Sequence, residues 1–314
     1  MNRLLAWVKE AERIALLPHV RADGDAIGSC YALAEILKSM GKAASVILEE
    51  EPLSRFCFLK GNYQIYQRSE QSYDLVIAVD CSDLSRLGER KALFRGKTVC
   101  IDHHITTQPI GLLCYVDPSA AATAELIYLF AKKVGVMNLS IAAGLYTALS
   151  TDSGGFRYSN TTPRTMRIGA ELMELGLDTA RINRLLYEQV TLGSLRFQAE
   201  CIEKMQLFDH NRIAVTYLSM EREKQLELTP DDTEGGGSLM LSIKGVSVGV
   251  FFHEREPGIY KVSLRSDEKV DVACVASSFG GGGHLRASGY SASQPFEDAV
   301  KELILKLSKQ LGDV

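Results

Sequence analysis

Thr98-Val99-Cys100-Ile101-Asp102-His103-His104 is the stretch on which the fold turns. An apolar run suited to a buried strand ends abruptly in a carboxylic acid and two imidazoles. Groups of this kind are not buried at a strand end without partners, because desolvation without hydrogen bonds costs several kcal/mol. They need hydrogen bonds, a metal ion or both. A satisfied polar turn accounts for three such residues equally well when they are seen alone. The balance shifts because similar strand ends recur along the chain.

Working outward, Asp74-Leu75-Val76-Ile77-Ala78-Val79 has no polar residue after its first, which predicts a strand buried on both faces. It ends in Asp80-Cys81-Ser82-Asp83. Further upstream, Ile14-Ala15-Leu16-Leu17-Pro18 runs into His19-Val20-Arg21-Ala22-Asp23-Gly24-Asp25. A helix over about 26–40 follows and stops at Gly41, completing the first half of a βαβ unit. Ala44-Ser45-Val46-Ile47-Leu48 is the next strand. Downstream, Ser119 or a neighbour caps a helix over about 120–134. Ser140 opens another over 140–150, which ends in Ser150-Thr151-Asp152-Ser153-Gly154-Gly155-Phe156-Arg157. Two more helices fill about 163–175 and 178–188. The fold class expected is α/β, with an N-terminal doubly wound, mostly parallel sheet.

The second half changes character. A helical linker is predicted over 188–207, and strands over 212–218, 246–252 and 260–264, with helices over 271–278 and 296–311. Gly280-Gly281-Gly282-Gly283-His284 stands before a last short strand. The expected layout is thus an N-terminal α/β domain over 1–187, the linker, and a smaller C-terminal α/β domain over 208–314. The Gly235-Gly236-Gly237 run is a loop or a helix start.

Composition bounds the function. A chain of 314 residues with 46% hydrophobic residues has material for two cores. A formal net charge of −4 argues against a broad basic track for long nucleic acid. Any nucleic-acid substrate should be short or gripped locally. Seven scattered Cys without a C-x-x-C pair suit reduced thiols in a cytoplasmic protein. The amphipathic N-terminus is too interrupted for a signal peptide, and no apolar window reaches the length of a membrane span.

Four strand or helix ends therefore carry His and Asp: His19/Asp23/Asp25, Asp80, Asp102/His103/His104 and Asp152. Taken singly, Asp23-Gly24-Asp25 is more often a turn and Asp80 a helix cap. Together, on a parallel sheet, they converge where the carboxyl ends of strands form a ligand crevice. Converging carboxylates repel unless cations neutralise them. Four Asp and two His, with one Asp shared, suit two divalent ions. Oxygen and imidazole donors without thiolate favour Mn²⁺, with Mg²⁺ or Fe²⁺ as alternatives. Two such ions about 3.5–4 Å apart are a common arrangement for phosphoester hydrolysis.

The order His-x-x-x-Asp-x-Asp, strand-Asp, Asp-His-His, Thr-Asp-Ser-Gly-x-Phe resembles the DHH phosphoesterase superfamily. Phe279-Gly280-Gly281-Gly282-Gly283-His284-x-x-Ala287-Ser288-Gly289 resembles its DHHA1 domain. The short two-domain layout is most similar to the nano-RNase/pAp-phosphatase branch. The related RecJ exonucleases carry an added OB-fold domain. The membrane-bound cyclic-dinucleotide phosphodiesterases add transmembrane segments. The resemblance implies that His19 and Asp23 hold one metal, that Asp25, His103 and Asp152 hold the other, and that Asp80 bridges them. It places His104 beside the scissile phosphate and Asp102 behind an imidazole. Arg157, Arg265, the backbone of Gly281, Gly282 and Gly283, His284 and Ser288 would bind substrate. The implied substrates are very short RNA, linear dinucleotides and 3′-phosphoadenosine 5′-phosphate. The implied assembly is a homodimer through the first domain, with hinge closure at the linker. One departure is Arg21-Ala22, where Ser-Pro is the more familiar pair; the ligand spacing is intact, and Arg21 adds positive charge. The rivals are an inorganic pyrophosphatase, whose second domain would be DHHA2 without the glycine loop, and a non-catalytic nucleotide-binding protein, which would lack metal ligands.

Overall fold

The computed structural model describes residues 1–59, 61–68, 72–267 and 269–312, with the side chain of His284 excepted. The chain forms two compact units, Met1–Gln189 and Val190–Val314. The elements of the first are α1 (Asn2–Glu10), β1 (Arg13–Pro18), α2 (Gly24–Ser39), β2 (Ala43–Leu48), β3 (Tyr63–Ile65), β4 (Leu75–Val79), β5 (Thr98–Asp102) and β6 (Leu113–Val116). They are followed by α3 (Ala124–Val134), α4 (Leu139–Asp152), α5 (Pro163–Glu174) and α6 (Thr179–Asn183).

Among the described residues the strands pair in the order β3-β2-β1-β4-β5-β6, all parallel. The order reverses between β1 and β4, and a crevice opens at such a switch point beyond the carboxyl ends of the strands. The residues His19 and Asp80 follow β1 and β4 directly, so this topology brings them together. Every residue of β4 and β5 is buried, as expected of central parallel strands covered on both faces. The period of two sorts their side chains. Ile14, Leu16, Ile77, Val79, Val99 and Ile101 face the main core with α1 to α4. Ala15, Leu17, Val76, Ala78 and Cys100 face the other side, against Leu87 and Leu93 of the 3₁₀ segment Leu84–Leu93.

The antiparallel pair α2 and α4 fixes the start of one helix against the end of the other. Gly28 and Gly144 make this approach close. A Cβ on Gly28 would lie 2.5 Å from the Gly144 carbonyl oxygen, and one on Gly144 would lie 2.7 Å from that of Gly28. Because α2 carries Asp25 and α4 carries Asp152, this contact also sets their separation. Gly144→Ala is therefore expected to destabilise the protein by about 1–3 kcal/mol through overpacking, and to weaken divalent-cation binding. Urea unfolding alongside a cation titration checks this; wild-type values in both would contradict it.

The second unit contains α7 (Leu192–Glu203), β7 (Gln206–Phe208), β8 (Ile213–Leu218), α8 (Met220–Gln225), α9 (Gly236–Leu241), β9 (Val248–Glu256), β10 (Ile259–Ser266), α10 (Val272–Ser277), β11 (Gly282–His284), β12 (Ala287–Ala292) and α11 (Phe296–Leu311). Its sheet runs β11-β12-β10-β9-β8-β7, antiparallel except for β8 with β9. The stretch predicted as a linker contains α7, which belongs to this unit. Thr191 caps α7 through the Ser194 N–H, and its hydroxyl also donates to Asp232. Gly235 is left-handed at φ 82° and opens α9. Among the described residues, no helix is long and apolar enough to cross a membrane.

Candidate metal centre

Each strand end contributes by a different local device. After β1, His19 is buried, and its Nδ1 lies 2.7 Å from the Val20 carbonyl. That bond assigns the proton to Nδ1 and turns Nε2 toward Asp23 Oδ2 at 3.6 Å and Asp80 Oδ2 at 3.7 Å. Asp23 is the N-cap of α2 and accepts from the N–H groups of Asp25 and Ala26. Asp25, in the first turn of α2, is buried and accepts from Ser29 Oγ at 2.8 Å. It also accepts from the N–H of Thr123 at 2.6 Å and of Ala124 at 3.2 Å, so it sits at the positive end of α3.

After β4, Asp80 turns the chain with φ 56°, a conformation Asp tolerates better than most residues. Its Oδ2 faces His19; its Oδ1 lies 3.7 Å from His103 Nε2 and accepts from Thr123 Oγ1 at 2.9 Å. After β5, the two histidines diverge. His103 Nδ1 is 3.1 Å from the Ala120 carbonyl, and its Nε2 faces Asp152 Oδ2 at 3.3 Å and Asp25 Oδ2 at 3.8 Å. His104 Nδ1 is 2.7 Å from Asp102 Oδ1. Asp102 is buried, accepts the His103 N–H at 2.9 Å, and takes a further bond from Thr107 Oγ1. The imidazole behind which Asp102 stands is thus that of His104; His103 is oriented by a backbone carbonyl instead.

Among the described residues, three sets of donor atoms converge within 4.8 Å: His19/Asp23/Asp80, Asp25/His103/Asp152 and Asp80/His103/His104. The first two share no residue, and Asp80 reaches from the first toward His103 of the second. In the third set, the His104 nitrogen nearest Asp80, Nδ1 at 3.6 Å, is already bonded to Asp102. Ligation through it would break that bond, so the first two sets are the better cation sites.

The electrostatics point the same way. Burial, then the charges of Asp80, Asp152 and Asp23, push the Asp25 carboxyl well above the usual range. Burial and the charge of Asp23 raise Asp80. Burial drives Asp152 up to about 7, with Asp80 and Asp23 adding to it and His103 opposing. Asp23 is lowered: desolvation pushes it up, but the His19 imidazole and the Ala26 N–H outweigh that. For His104, desolvation favours the neutral ring, but the bond to Asp102 and the charge of Asp80 outweigh it and raise the imidazole. Burial raises these carboxyls first, and the like charges crowded around them raise them further. Divalent cations would relieve that crowding, and a set of carboxylate oxygens and imidazole nitrogens without thiolate fits such ions.

The remaining sequence candidates are distributed differently. Arg157 is exposed, and its Nε donates to the Gly154 carbonyl at 2.5 Å. Arg21 is exposed at φ 53°. In the second unit Arg265 pairs with Ala287, which pairs with His284 across β12 and β11. The side chain of His284 lies outside the described residues. The glycines of this loop differ in purpose. A Cβ on Gly281 would strike the Gly289 carbonyl at 2.2 Å, and one on Gly283 the Ala287 carbonyl at 2.6 Å, whereas Gly282 faces open space. Gly281 and Gly283 are therefore required for strand contact, and Gly282 is the position with room for a ligand. Ser288 pairs with Leu264, on the opposite face from Arg265, and its hydroxyl donates to the Val272 carbonyl at 2.6 Å. It is buried there and anchors the start of α10.

Sequence reasoning missed Thr123, Ser29 and the Ala120 carbonyl. Ser29 was legible in principle, since it stands four residues after Asp25 on one helix face. The other two fall inside the helix predicted over 120–134, but the chain is irregular there and α3 begins only at Ala124.

Residues 13–151 match the DHH family, N-terminal domain, and residues 211–313 match the DHHA1 domain. The bifunctional oligoribonuclease and PAP phosphatase NrnA of Thermus thermophilus is 32% identical over 312 residues, covering 98% of this chain and 93% of the relative. The Bacillus subtilis protein of the same name is 28% identical, covering 92% of each. A solved exopolyphosphatase-related protein from Bacteroides fragilis has a TM-score of 0.91 at 27% identity, covering 97% of this chain and 95% of that one. Near-full-length similarity to these oligoribonuclease and PAP-phosphatase relatives, with the two domain matches in order, makes this chain a member of the DHH/DHHA1 family of metal-dependent phosphoesterases, in its oligoribonuclease and PAP-phosphatase branch.

Proposed function

We propose that this enzyme hydrolyses very short RNA, including linear dinucleotides, to nucleoside 5′-monophosphates, and 3′-phosphoadenosine 5′-phosphate to AMP. The observation that carries this is Asp80, whose two oxygens each face a different histidine, His19 and His103. Full-length similarity to relatives named for these activities supports the substrate class. The DHHA1 match over 211–313 weighs against the pyrophosphatase alternative, and the full set of donors weighs against a non-catalytic role.

His19 and Asp23 would hold one divalent ion, Asp25, His103 and Asp152 a second, and Asp80 both; Mn²⁺ is the first choice. When bound, the ions would supply Lewis-acid charge at the phosphate and acidify the attacking water. The protein's own residues do the rest. Asp102 holds the His104 ring in one orientation and favours its protonated form. His104 then donates its proton to the leaving 3′-oxygen as the P–O bond breaks and the water oxygen bonds to phosphorus. Asp152, 30% exposed, and Asp23, 56% exposed, mark the open side from which substrate would approach. In the second unit, Arg265 and the open side of Gly282 would bind a substrate phosphate. The acidic net charge suits a small substrate, which needs no long basic track.

Activity with Mn²⁺ on single-stranded RNA of increasing length, alongside 3′-phosphoadenosine 5′-phosphate, pyrophosphate and cyclic dinucleotides, tests this. An optimum at about two to five nucleotides is expected. Preference for long strands would favour a RecJ-like exonuclease, and preference for cyclic dinucleotides a signalling phosphodiesterase.

Proton competition gives a second expectation. Asp152 titrates near 7 in the metal-free protein, and Asp25 and Asp80 are also raised. A cation must displace those protons. Raised carboxyl pKa values stabilise the metal-free fold at low pH and withdraw that contribution as pH rises through 7. Mn²⁺ affinity should therefore fall between pH 8 and pH 6, by roughly tenfold for each unit below 7 per proton displaced. Calorimetric titration in two buffers measures both affinity and proton release. An affinity unchanged over that range, with no protons released, would contradict it.

A further inference from the structure

We propose that Thr123 is a positioning residue for the reaction: its hydroxyl locks the Asp80 carboxylate with one oxygen toward each cation position. This rests on the two-ion reading above and goes beyond it to a residue outside the donor set.

Thr123 stands at the N-cap of α3 and is fully buried. A threonine there ordinarily turns its hydroxyl back to accept a bond from the N–H groups of the first helical turn. This one makes no such cap bond. Its hydroxyl reaches Asp80 Oδ1 at 2.9 Å instead. From another helix, Asp25 accepts the first N–H groups of α3, that of Thr123 on Oδ2 and that of Ala124 on Oδ1. One residue thus donates to the shared carboxylate and to a carboxylate of the second cluster. The wiring runs from the start of α3 to both.

The consequence follows from the torsion it restrains. The terminal torsion of an aspartate is broad and close to two-fold, so sterics alone do not hold its plane. Asp80 must keep Oδ2 toward His19 and Oδ1 toward His103 at once. His104 Nδ1 at 3.6 Å from Oδ1 offers a competing attraction. The Thr123 hydroxyl, approaching Oδ1 from the α3 side, selects the plane that serves both clusters. A hydroxyl is required because the donor must be neutral: a cation there would compete with the ions, and an acceptor would repel Asp80.

Thr123→Ala and Thr123→Ser differ by a single oxygen, so the pair isolates the hydroxyl; Thr123→Val keeps the shape of threonine. Metal-free protein is titrated with Mn²⁺ and followed by calorimetry and by the spin resonance of free Mn²⁺. Turnover of a dinucleotide is measured at saturating Mn²⁺. We expect wild type and Thr123→Ser to take up two ions with affinities within threefold of each other. In Thr123→Ala and Thr123→Val, uptake of the second ion weakens at least tenfold, and kcat falls at least tenfold with KM within threefold. Two-ion binding and kcat in Thr123→Ala within threefold of those in Thr123→Ser would overturn the proposal alone. Equal losses in Thr123→Ser would also overturn it, since the hydroxyl is retained there. Wild type that takes up fewer than two ions would overturn the two-ion reading, and this proposal with it.

Discussion

Asp80→Asn is expected to lower kcat by at least about 10³-fold while leaving the metal-free protein as stable as wild type or more so. The size follows from several kcal/mol of transition-state stabilisation lost with an ion position, at about 1.4 kcal/mol per factor of ten. The opposite sign for stability follows from crowding. Asp80 is buried, and it raises the carboxyl pKa values of Asp25 and Asp152 by its charge. Asparagine keeps an oxygen for Thr123 Oγ1 but removes the charge, which relieves that repulsion. The φ of 56° at this position is also one that asparagine adopts readily. Thermal unfolding without metal and turnover with Mn²⁺ together check the two halves. Mn²⁺-dependent turnover within tenfold of wild type would remove Asp80 from the shared position.

The second large effect separates two adjacent histidines. His104→Ala is expected to cost about 10²–10⁴-fold in kcat, the usual range for a general acid, with Mn²⁺ affinity within threefold of wild type. His103→Ala should instead lose affinity for one ion. The difference arises from their Nδ1 partners: the Ala120 carbonyl directs His103 Nε2 at Asp25, Asp80 and Asp152, whereas Asp102 ties His104. Asp102→Asn supplies a further check. Desolvation lowers the His104 pKa, but the bond to Asp102 and the charges of Asp80 and Asp102 together outweigh it, so the acid form persists to higher pH in wild type. The alkaline limb of kcat should shift to lower pH in Asp102→Asn. A loss of Mn²⁺ affinity in His104→Ala, or an alkaline limb that does not move in Asp102→Asn, would assign these residues differently.

Much of the site was legible because a parallel sheet places chemistry at the carboxyl ends of its strands. The apolar runs before His19, Asp80 and Asp102 announced buried strands, and the polar residues that ended them had to converge. The strands β3 and β6 escape the sequence reading for different reasons. Tyr63–Ile65 is three residues long with a polar one at its centre, so it carries no apolar run, whereas Leu112-Leu113-Cys114-Tyr115-Val116 is an apolar run that the reading passed over. Ser119 looked like the cap of α3, but it bonds to Asp117 through Oγ, and the helix begins at Ala124. The start of α4 was equally ambiguous: Asn138 caps it by accepting the Ile141 N–H, and Ser140 lies inside the helix.

The second unit was less legible. Ser288 shows why. Its side of the sheet depends on the pairing of β12 with β10, Leu264 with Ser288 and Arg265 with Ala287. A slip of one residue would have turned it toward Arg265, and sequence alone does not fix that register. The same holds for the glycine run, where composition suggested one shared purpose. Packing against β12 divides it instead into residues that need to be glycine for strand contact and Gly282, which has open space beside it.

Crystals grown with Mn²⁺, with anomalous diffraction recorded at the manganese edge, test the central claim most directly. The account predicts two anomalous peaks about 3.5–4 Å apart, one against His19 and Asp23, the other against Asp25, His103 and Asp152, with an Asp80 oxygen toward each. A single peak, or two peaks of which one lies against His104 and away from Asp152, would contradict it.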